Sequence, residues 1–364
     1  MYDNGAVKDA YAAAGVDTEQ ADRGVAALVT ILRTIETGRE SLSVPLPGHY
    51  ASVLRIAPNL GIALATDSVG SKVIVAEQAA RFDTIGIDCV AMNVNDLICV
   101  GAEPLALLDY LAVEAADPAL LRELAVGLKV GAEAAGVEIP GGEVCQLPEV
   151  IRGHPSPYGF DLVGSAFGTV ALDGIVDGSA CAAGDALIGI PASGVHSNGL
   201  TLARRALTQD GGLGLDATPD ELDGASVADV LLEPTVIYVR AILALLRSAT
   251  PVNGLAHITG GGLGNLLRLG DGVGFEITTP LPVLPVFGLI ARLGAVSPAE
   301  MWEVFNMGCG FCVIVAAQDA DAAVSLLAEH HPGTAVIGAV TDRAGQVRMP
   351  GLGLEGDADG LRTA

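Results

Sequence analysis

The chain has 364 residues, 51% of them apolar and 17% charged, with 47 glycines and only 4% aromatics. That is material for two ordinary domains with their own cores, in the Ala/Gly-rich style of a soluble α/β or α+β protein. A net charge of −24 argues against nucleic-acid or membrane-surface binding, which needs basic patches; any anionic ligand must be held by helix N-termini, a few cations or a metal ion.

The N-terminus shows neither a basic start nor an apolar h-region, so no signal peptide is expected. No apolar run of about 18 residues marks a membrane span, and a cytoplasmic location is the expectation. Cysteines 89, 99, 145, 181, 309 and 312 lie mostly in apolar segments, as reduced thiols do. Residues 1–16 read as an arm. Asp17 or Thr18 can cap a helix with apolar face Val25, Leu28, Val29, Leu32 and Ile35, ended by Gly38. Residues 39–60 read as loop around VPLPGHY, followed by a strand-like VLRIA. Ile62–Ala65 reads as a strand that delivers Asp67 to a turn, a usual place for chemistry. A helix then runs from Lys72 to about Ala80. Lys72 is one of three lysines, with Lys8 and Lys129, and a compact ammonium suits phosphate oxygens.

Ile85 to Val100 reads as a buried helix interrupted by Asp88, Asn95 and Asp96. Asp88 and Asn95 share a face, and Asp96 lies about 80° from the first. Buried carboxylates cost several kcal/mol unless paired or bound to a cation. The group is therefore either capping and hydrogen-bonding furniture or an oxygen-ligand cluster for Mg²⁺ on a nucleotide phosphate.

Leu105–Val113 reads as a strand carrying Asp109, and Asp117-Pro118 opens a helix to about Ala135. VEIPGGEV reads as a short strand broken by two glycines that presents Glu143, either close to a ligand or as a surface carboxylate beside a bulge. Residues 154–159 read as loop, 160–172 as a strand closing a first domain, with a boundary near Asp173–Gly178. Beyond it, a strand runs into a turn that sets Ser193, Gly194, His196, Ser197 and Asn198 at a helix start. This is an anion site in one reading and a capping turn with a structural histidine in the other. Thr235–Arg247 reads as a helix. Thr259, Gly260, Gly261 and Gly262 open the next one as a second phosphate cradle, which is neither a Walker loop nor a dinucleotide fingerprint. Ser297 to Glu300 is a capping box. His330 and His331 read as solvated, and the tail after Asp342 as frayed.

TDSVGSK, FDTIGIDCVAMNVNDLICVGAEP, PGGE, SGVHSNGL, HITGGG and EMWEVFNMGCG, in this order, resemble the aminoimidazole ribonucleotide (AIR) synthetase family, the phosphoribosylformylglycinamidine cyclo-ligases, in its archaeal-type branch. The resemblance spans roughly Tyr11 to Asp342. It departs at Tyr11-Ala12-Ala13-Ala14-Gly15, where many relatives carry Tyr-Lys-Asp-Ala-Gly, and at Pro45, Pro47 and Gly48, where a glycine-rich loop is usual.

The resemblance implies an α/β (α+β) two-domain fold: residues 1–173 for ATP and Mg²⁺ binding and dimerisation, 174–345 for phosphate and substrate binding, and 346–364 as a tail. The first sheets of two subunits would pair into a barrel across a homodimer. The implied reaction converts formylglycinamidine ribonucleotide and ATP to aminoimidazole ribonucleotide, ADP and phosphate, in purine biosynthesis, with no nucleic-acid or membrane partner. ATP would be held by Asp67, Ser68, Gly70, Lys72, Asp88, Asn95, Asp96 and Glu143, and Mg²⁺ by Asp67, Asp88, Asp96 and Glu143. The substrate would meet Ser193, Gly194, His196, Ser197, Asn198 and Thr259–Gly262. His196, Asp67 and Lys72 are the expected catalytic residues, with His196 nearest the reacting amide. The alternatives are a divergent paralogue, either a kinase or dehydratase on another small substrate, and a non-catalytic nucleotide-binding scaffold.

Overall fold

The computed structural model describes residues 10, 14–15, 18–270 and 272–364. The arm expected over 1–16 otherwise lies outside these residues, as does the cap at Asp17. Helix α1 (Thr18–Leu32) stops six residues before Gly38, and its apolar side chains Val25, Leu28 and Ile31 stand exposed. No helix among the described residues is long and apolar enough to cross a membrane.

Two sheets follow in sequence. The first comprises β1 (Ser43–Val44), β2 (Ser52–Ala57), β3 (Leu60–Ser68), β4 (Glu103–Val113), β5 (Glu138–Gln146) and β6 (Phe160–Val170), in the order β1-β2-β3-β6-β4-β5. Only the β4–β5 pair is parallel, and the helix α4 (Pro118–Ala135) supplies the crossover that a parallel pair needs. Asp117 caps α4 by accepting from the amides of Ala119 and Leu120. The glycines of PGGE do not break β5, which runs as one exposed edge strand.

Short α2 (Lys72–Ala79) leads to α3 (Ile85–Cys99). Every residue of α3 except Ile87 and Asp96 is buried, because the helix lies on the first sheet while α4 and the second half of the chain cover its other sides. The α3–α4 crossing is glycine-dependent: a Cβ on Gly86 would come 2.0 Å from the Leu128 amide nitrogen, and one on Gly127 would come 2.6 Å from the Asp83 carbonyl.

The second sheet has the order β14-β13-β12-β9-β11-β7-β10-β8. Its strands are β7 (Ala186–Pro191), β8 (Gly254–His257), β9 (Gly274–Ile277), β10 (Cys309–Val315), β11 (Ala335–Thr341), β12 (Val347–Met349), β13 (Leu354–Asp357) and β14 (Gly360–Thr363). The last three correct the expected frayed tail: Val347, Met349 and Leu354 are buried, so the tail completes the sheet. Helices α5 (Leu200–Arg204), α6 (Val227–Leu232), α7 (Val239–Leu246), α8 (Pro285–Leu293), α9 (Pro298–Val304) and α10 (Ala320–His330) flank it. Ser297 caps α9 by accepting from the Glu300 amide. His331 is not solvated as expected, since its ring packs 5.2 Å from that of Tyr238.

Gly86→Ala is expected to lower stability by about 2–3 kcal/mol, because backbone rather than a flexible side chain meets the new methyl. Urea unfolding of the full chain measures it, and an unchanged midpoint would refute the close crossing.

Candidate active site

The polar residues of α3 face three different ways, and this decides their roles. Asp88 and Lys72 are both fully buried. Lys72 Nζ lies 2.9 Å from each Asp88 oxygen and donates to the Glu233 carbonyl at 2.6 Å. Asp88 Oδ1 also accepts from Thr235, from the amide at 2.8 Å and the hydroxyl at 2.6 Å. Seven residues along the same face, Asn95 accepts from the Tyr238 amide at 3.0 Å and donates to the Val236 carbonyl at 2.8 Å. These bonds keep residues 235–238 out of the helix and explain why α7 starts at Val239 rather than at the expected Thr235. Lys72, Asp88 and Asn95 thus join the two halves of the chain. In this structure their polar atoms are engaged with one another and with residues 233–238, apart from Asp88 Oδ2, which has no hydrogen-bond partner.

Asp96 is the helix's open carboxylate, with its side chain 20% exposed and Oδ1 2.9 Å from His257 Nδ1. Asp67, at the end of β3, accepts from the Ser68 amide at 2.7 Å. Its carboxyl is pushed above the usual range, chiefly by burial; the Ser68 bond pulls the other way, and the Asp96 charge adds to the rise. Between these strands and helix, Asn93 donates to the carbonyls of Asp67 (3.2 Å) and Cys89 (2.9 Å), and its buried Oδ1 has no partner. Gly164 makes the room, since a Cβ there would lie 2.5 Å from Asn93 Nδ2. The register aligns Asp67, Gly164, Asp109 and Gly142 across four strands, so Asp109 shares this face, roughly 10 Å from Asp67. Burial raises its carboxyl too.

Glu143 stands one residue beyond that row. It pairs with Tyr110 and faces the opposite side of the sheet, with Cys145 Sγ 3.7 Å away. Within one chain it does not join Asp67 and Asp96. Among the described residues, no three His, Cys, Asp or Glu side chains converge closely enough to hold a metal alone.

The two turns of the second half close over the same place. Ser197 donates to the Val69 carbonyl at 3.0 Å, and Ser193 to the Pro234 carbonyl at 2.6 Å. Thr201 and Ser71 share a hydrogen bond of 2.8 Å, and Gly70 approaches Ser197 with φ +70°. The Gly194 carbonyl accepts from Asn306, the residue of the NMG turn, at 2.9 Å. Asn198 abuts Gly260, and Asn265 donates to the carbonyls of Thr259, Gly260 and Gly262. Gly262 is obligatory, because a Cβ would fall 1.9 Å from the Trp302 carbonyl. The helices that follow differ from expectation: α5 has five residues before a π-helical stretch, and Gly262–Leu269 is 3-10 helix.

His196 lies inside its turn. It is 3% exposed, adopts a left-handed φ of +64°, and accepts from the Ser193 amide through Nε2 at 3.2 Å. Burial drives its pKa well below the ordinary value, and the nearby His257 and Lys72 push the same way. The neutral imidazole braces the 193–198 turn through Nε2, and its buried Nδ1 has no partner. Pattern reading placed Asp109 on its strand without assigning it to the site, and did not single out Asn93 or His257. The signal for His257 was present in HITGGG, where the glycines drew the attention.

Models of two families match the chain: "AIR synthase related protein, N-terminal domain" over residues 48–170 and "AIR synthase related protein, C-terminal domain" over 182–349. Curated relatives named phosphoribosylformylglycinamidine cyclo-ligase include that of Methanothermobacter thermautotrophicus, 45% identical over 93% of this chain and 96% of its own. That of Thermococcus kodakarensis is 46% identical over 88% and 92%. Among solved structures, thiamine-monophosphate kinase from Stenotrophomonas maltophilia superposes with TM-score 0.61 at 22% identity, covering 86% of this chain and 93% of its own. The hydrogenase maturation protein HypE in complex with ATP gives 0.58 at 23%, covering 84% and 86%. At these identities the structural likeness concerns the fold.

Lys72→Met is expected to cost about 3–5 kcal/mol by stranding the Asp88 charge, and adding Asp88→Leu should recover much of it; a urea-unfolding cycle measures both. Asp67→Asn should act oppositely. A raised folded pKa means that the ionised carboxylate opposes folding above that pKa and that the penalty fades as pH falls through it. The variant should therefore melt about 1–2 °C higher at neutral pH, with the gap closing in acid, and a lower melting point would contradict the burial argument.

Proposed function

The chain belongs to the AIR synthase related protein family, and from this premise we propose that it is a phosphoribosylformylglycinamidine cyclo-ligase. It converts formylglycinamidine ribonucleotide to aminoimidazole ribonucleotide in purine biosynthesis, with ATP going to ADP and phosphate. The observation that carries the reading is the convergence on one seam of the β3–α2 turn, the Asp96 end of α3, the 193–198 turn and the 257–262 turn, segments far apart in sequence.

In this reaction the formyl amide oxygen takes the γ-phosphoryl group, so that phosphate becomes the leaving group. The amidine-side nitrogen then attacks the activated carbon and loses a proton, and the imidazole closes as phosphate departs. The protein contributes little covalent chemistry and much positioning. Asp67 and Asp96 supply the acidic end of the seam. The residues present fit a divalent cation of the Mg²⁺ type, which uses one or two carboxylates plus ligand phosphates: the Asp96 charge adds to the cost of ionising Asp67, and the Asn93 oxygen is buried without a partner. Such an ion would neutralise triphosphate charge when bound. Asp88, paired with Lys72, is not part of that set. The turns 193–198 and 259–262 are the proposed seats for substrate, including its ribose phosphate.

We also assign a homodimer to the first sheet. Leu108 and Tyr110 are each 40% exposed on the face away from α3, and β5 leaves an unpaired edge beside them. Apolar faces and open edges of this kind call for a partner.

Incubation with Mg·ATP and formylglycinamidine ribonucleotide should release ADP and aminoimidazole ribonucleotide in equal amounts. Asp67→Asn and Asp96→Asn should each cut turnover about 100-fold or more while remaining folded. ADP release only with thiamine monophosphate or another acceptor would replace this reading.

A further inference from the structure

His257, the last residue of β8, is completely buried and reaches from the second sheet to α3. Its Nδ1 lies 2.9 Å from Asp96 Oδ1 and its Nε2 3.4 Å from Asn95 Nδ2. Backbone groups settle where the protons are. Asn95 Oδ1 accepts from the Tyr238 amide at 3.0 Å and Nδ2 donates to the Val236 carbonyl at 2.8 Å, so the Asn95 amide cannot be turned over. Nδ2 is a donor only. His257 Nε2 must therefore accept, Nδ1 carries the proton, and the ring donates to Asp96 from one fixed direction.

We propose that His257 is a positioning residue for Asp96. Its Nδ1–H anchors one carboxylate oxygen and leaves the other for the cation of a bound nucleotide. Asn95 makes that anchoring conditional on residues 236–238 being seated on α3. The seating of one half of the chain on the other is thereby coupled to the geometry of the acidic end of the site. The inference rests on the nucleotide-binding reading above. It adds what that reading lacks: a reason why a carboxylate on one domain should depend on a histidine of the other.

The test uses the full chain, a non-hydrolysable ATP analogue and titrated Mg²⁺, with calorimetric binding as the readout. Asparagine at 257 can place its amide N–H where Nδ1–H stands, whereas glutamine places its amide near Nε2. His257→Gln and His257→Ala should raise the Mg²⁺ needed for half-maximal nucleotide binding about 10–100-fold, the effect expected when an outer partner of a metal ligand is lost. His257→Asn should stay within about threefold of the parent. Equal losses in all three variants, or parent-like binding by His257→Gln, would overturn the proposal while leaving the nucleotide site intact. A parent protein that binds no nucleotide would overturn both. Histidine ¹⁵N spectra of the parent provide a readout that does not depend on a variant folding: the Nδ1–H tautomer is required, and Nε2–H refutes the proposal.

Discussion

The arrangement depends on a lysine and an aspartate that have both left water. Lys72 and Asp88 are fully buried and 2.9 Å apart. Desolvating two such charges costs several kcal/mol each, and their attraction offsets that only when the remaining hydrogen-bonding capacity is used. Here the second half of the chain uses much of it, although Asp88 Oδ2 has only the ammonium beside it. The Glu233 carbonyl accepts a hydrogen bond from the ammonium, and Thr235 donates two to Asp88 Oδ1, from its amide and its hydroxyl. The pair keeps these bonds only while the two sheets are seated together, which makes it a registration device for the seam.

Everything chemical at the seam follows from where α3 then lies. The face at 88 and 95 is spent on holding residues 233–238. Asn93 faces the sheet, in the space left by Gly164. Asp96 alone opens toward solvent, and His257 meets it there. The seam that results carries two acidic side chains, Asp67 and Asp96, in a protein of net charge −24. On the proposed function, a triphosphate seated beside them would need a cation to offset their charge. The buried lysine cannot substitute, since its charge is already neutralised.

Much of this was legible as pattern. The helical spacing of α3, the Asp117-Pro118 start of α4 and the strand ahead of Asp67 are local signals, and they appear within a few residues of expectation. The misreadings share one cause. A lone lysine beside a glycine turn looks like a phosphate ligand until its carboxylate partner, sixteen residues on, is seen to be packed against it. The start of α7 moved because long-range bonds from Asp88 and Asn95 outbid local helix propensity. Glu143 was placed by its motif, but strand alternation turned it to the other face of the sheet. The residues after Asp342 are glycine-rich and acidic, yet sheet pairing gave them partners.

The amino-acid sequence by itself determined the element types, the two-part organisation and the family, because these rest on periodicity, caps and motifs confined to short windows. It also determined which residue types could do chemistry. Only the tertiary structure decided which of those residues are free to do it. A carboxylate, an ammonium or an imidazole reads the same in a sequence whether it is paired or open. The difference lies in partners brought from the other half of the chain: Glu233 and Thr235 for Lys72 and Asp88, Val236 and Tyr238 for Asn95, and His257 for Asp96.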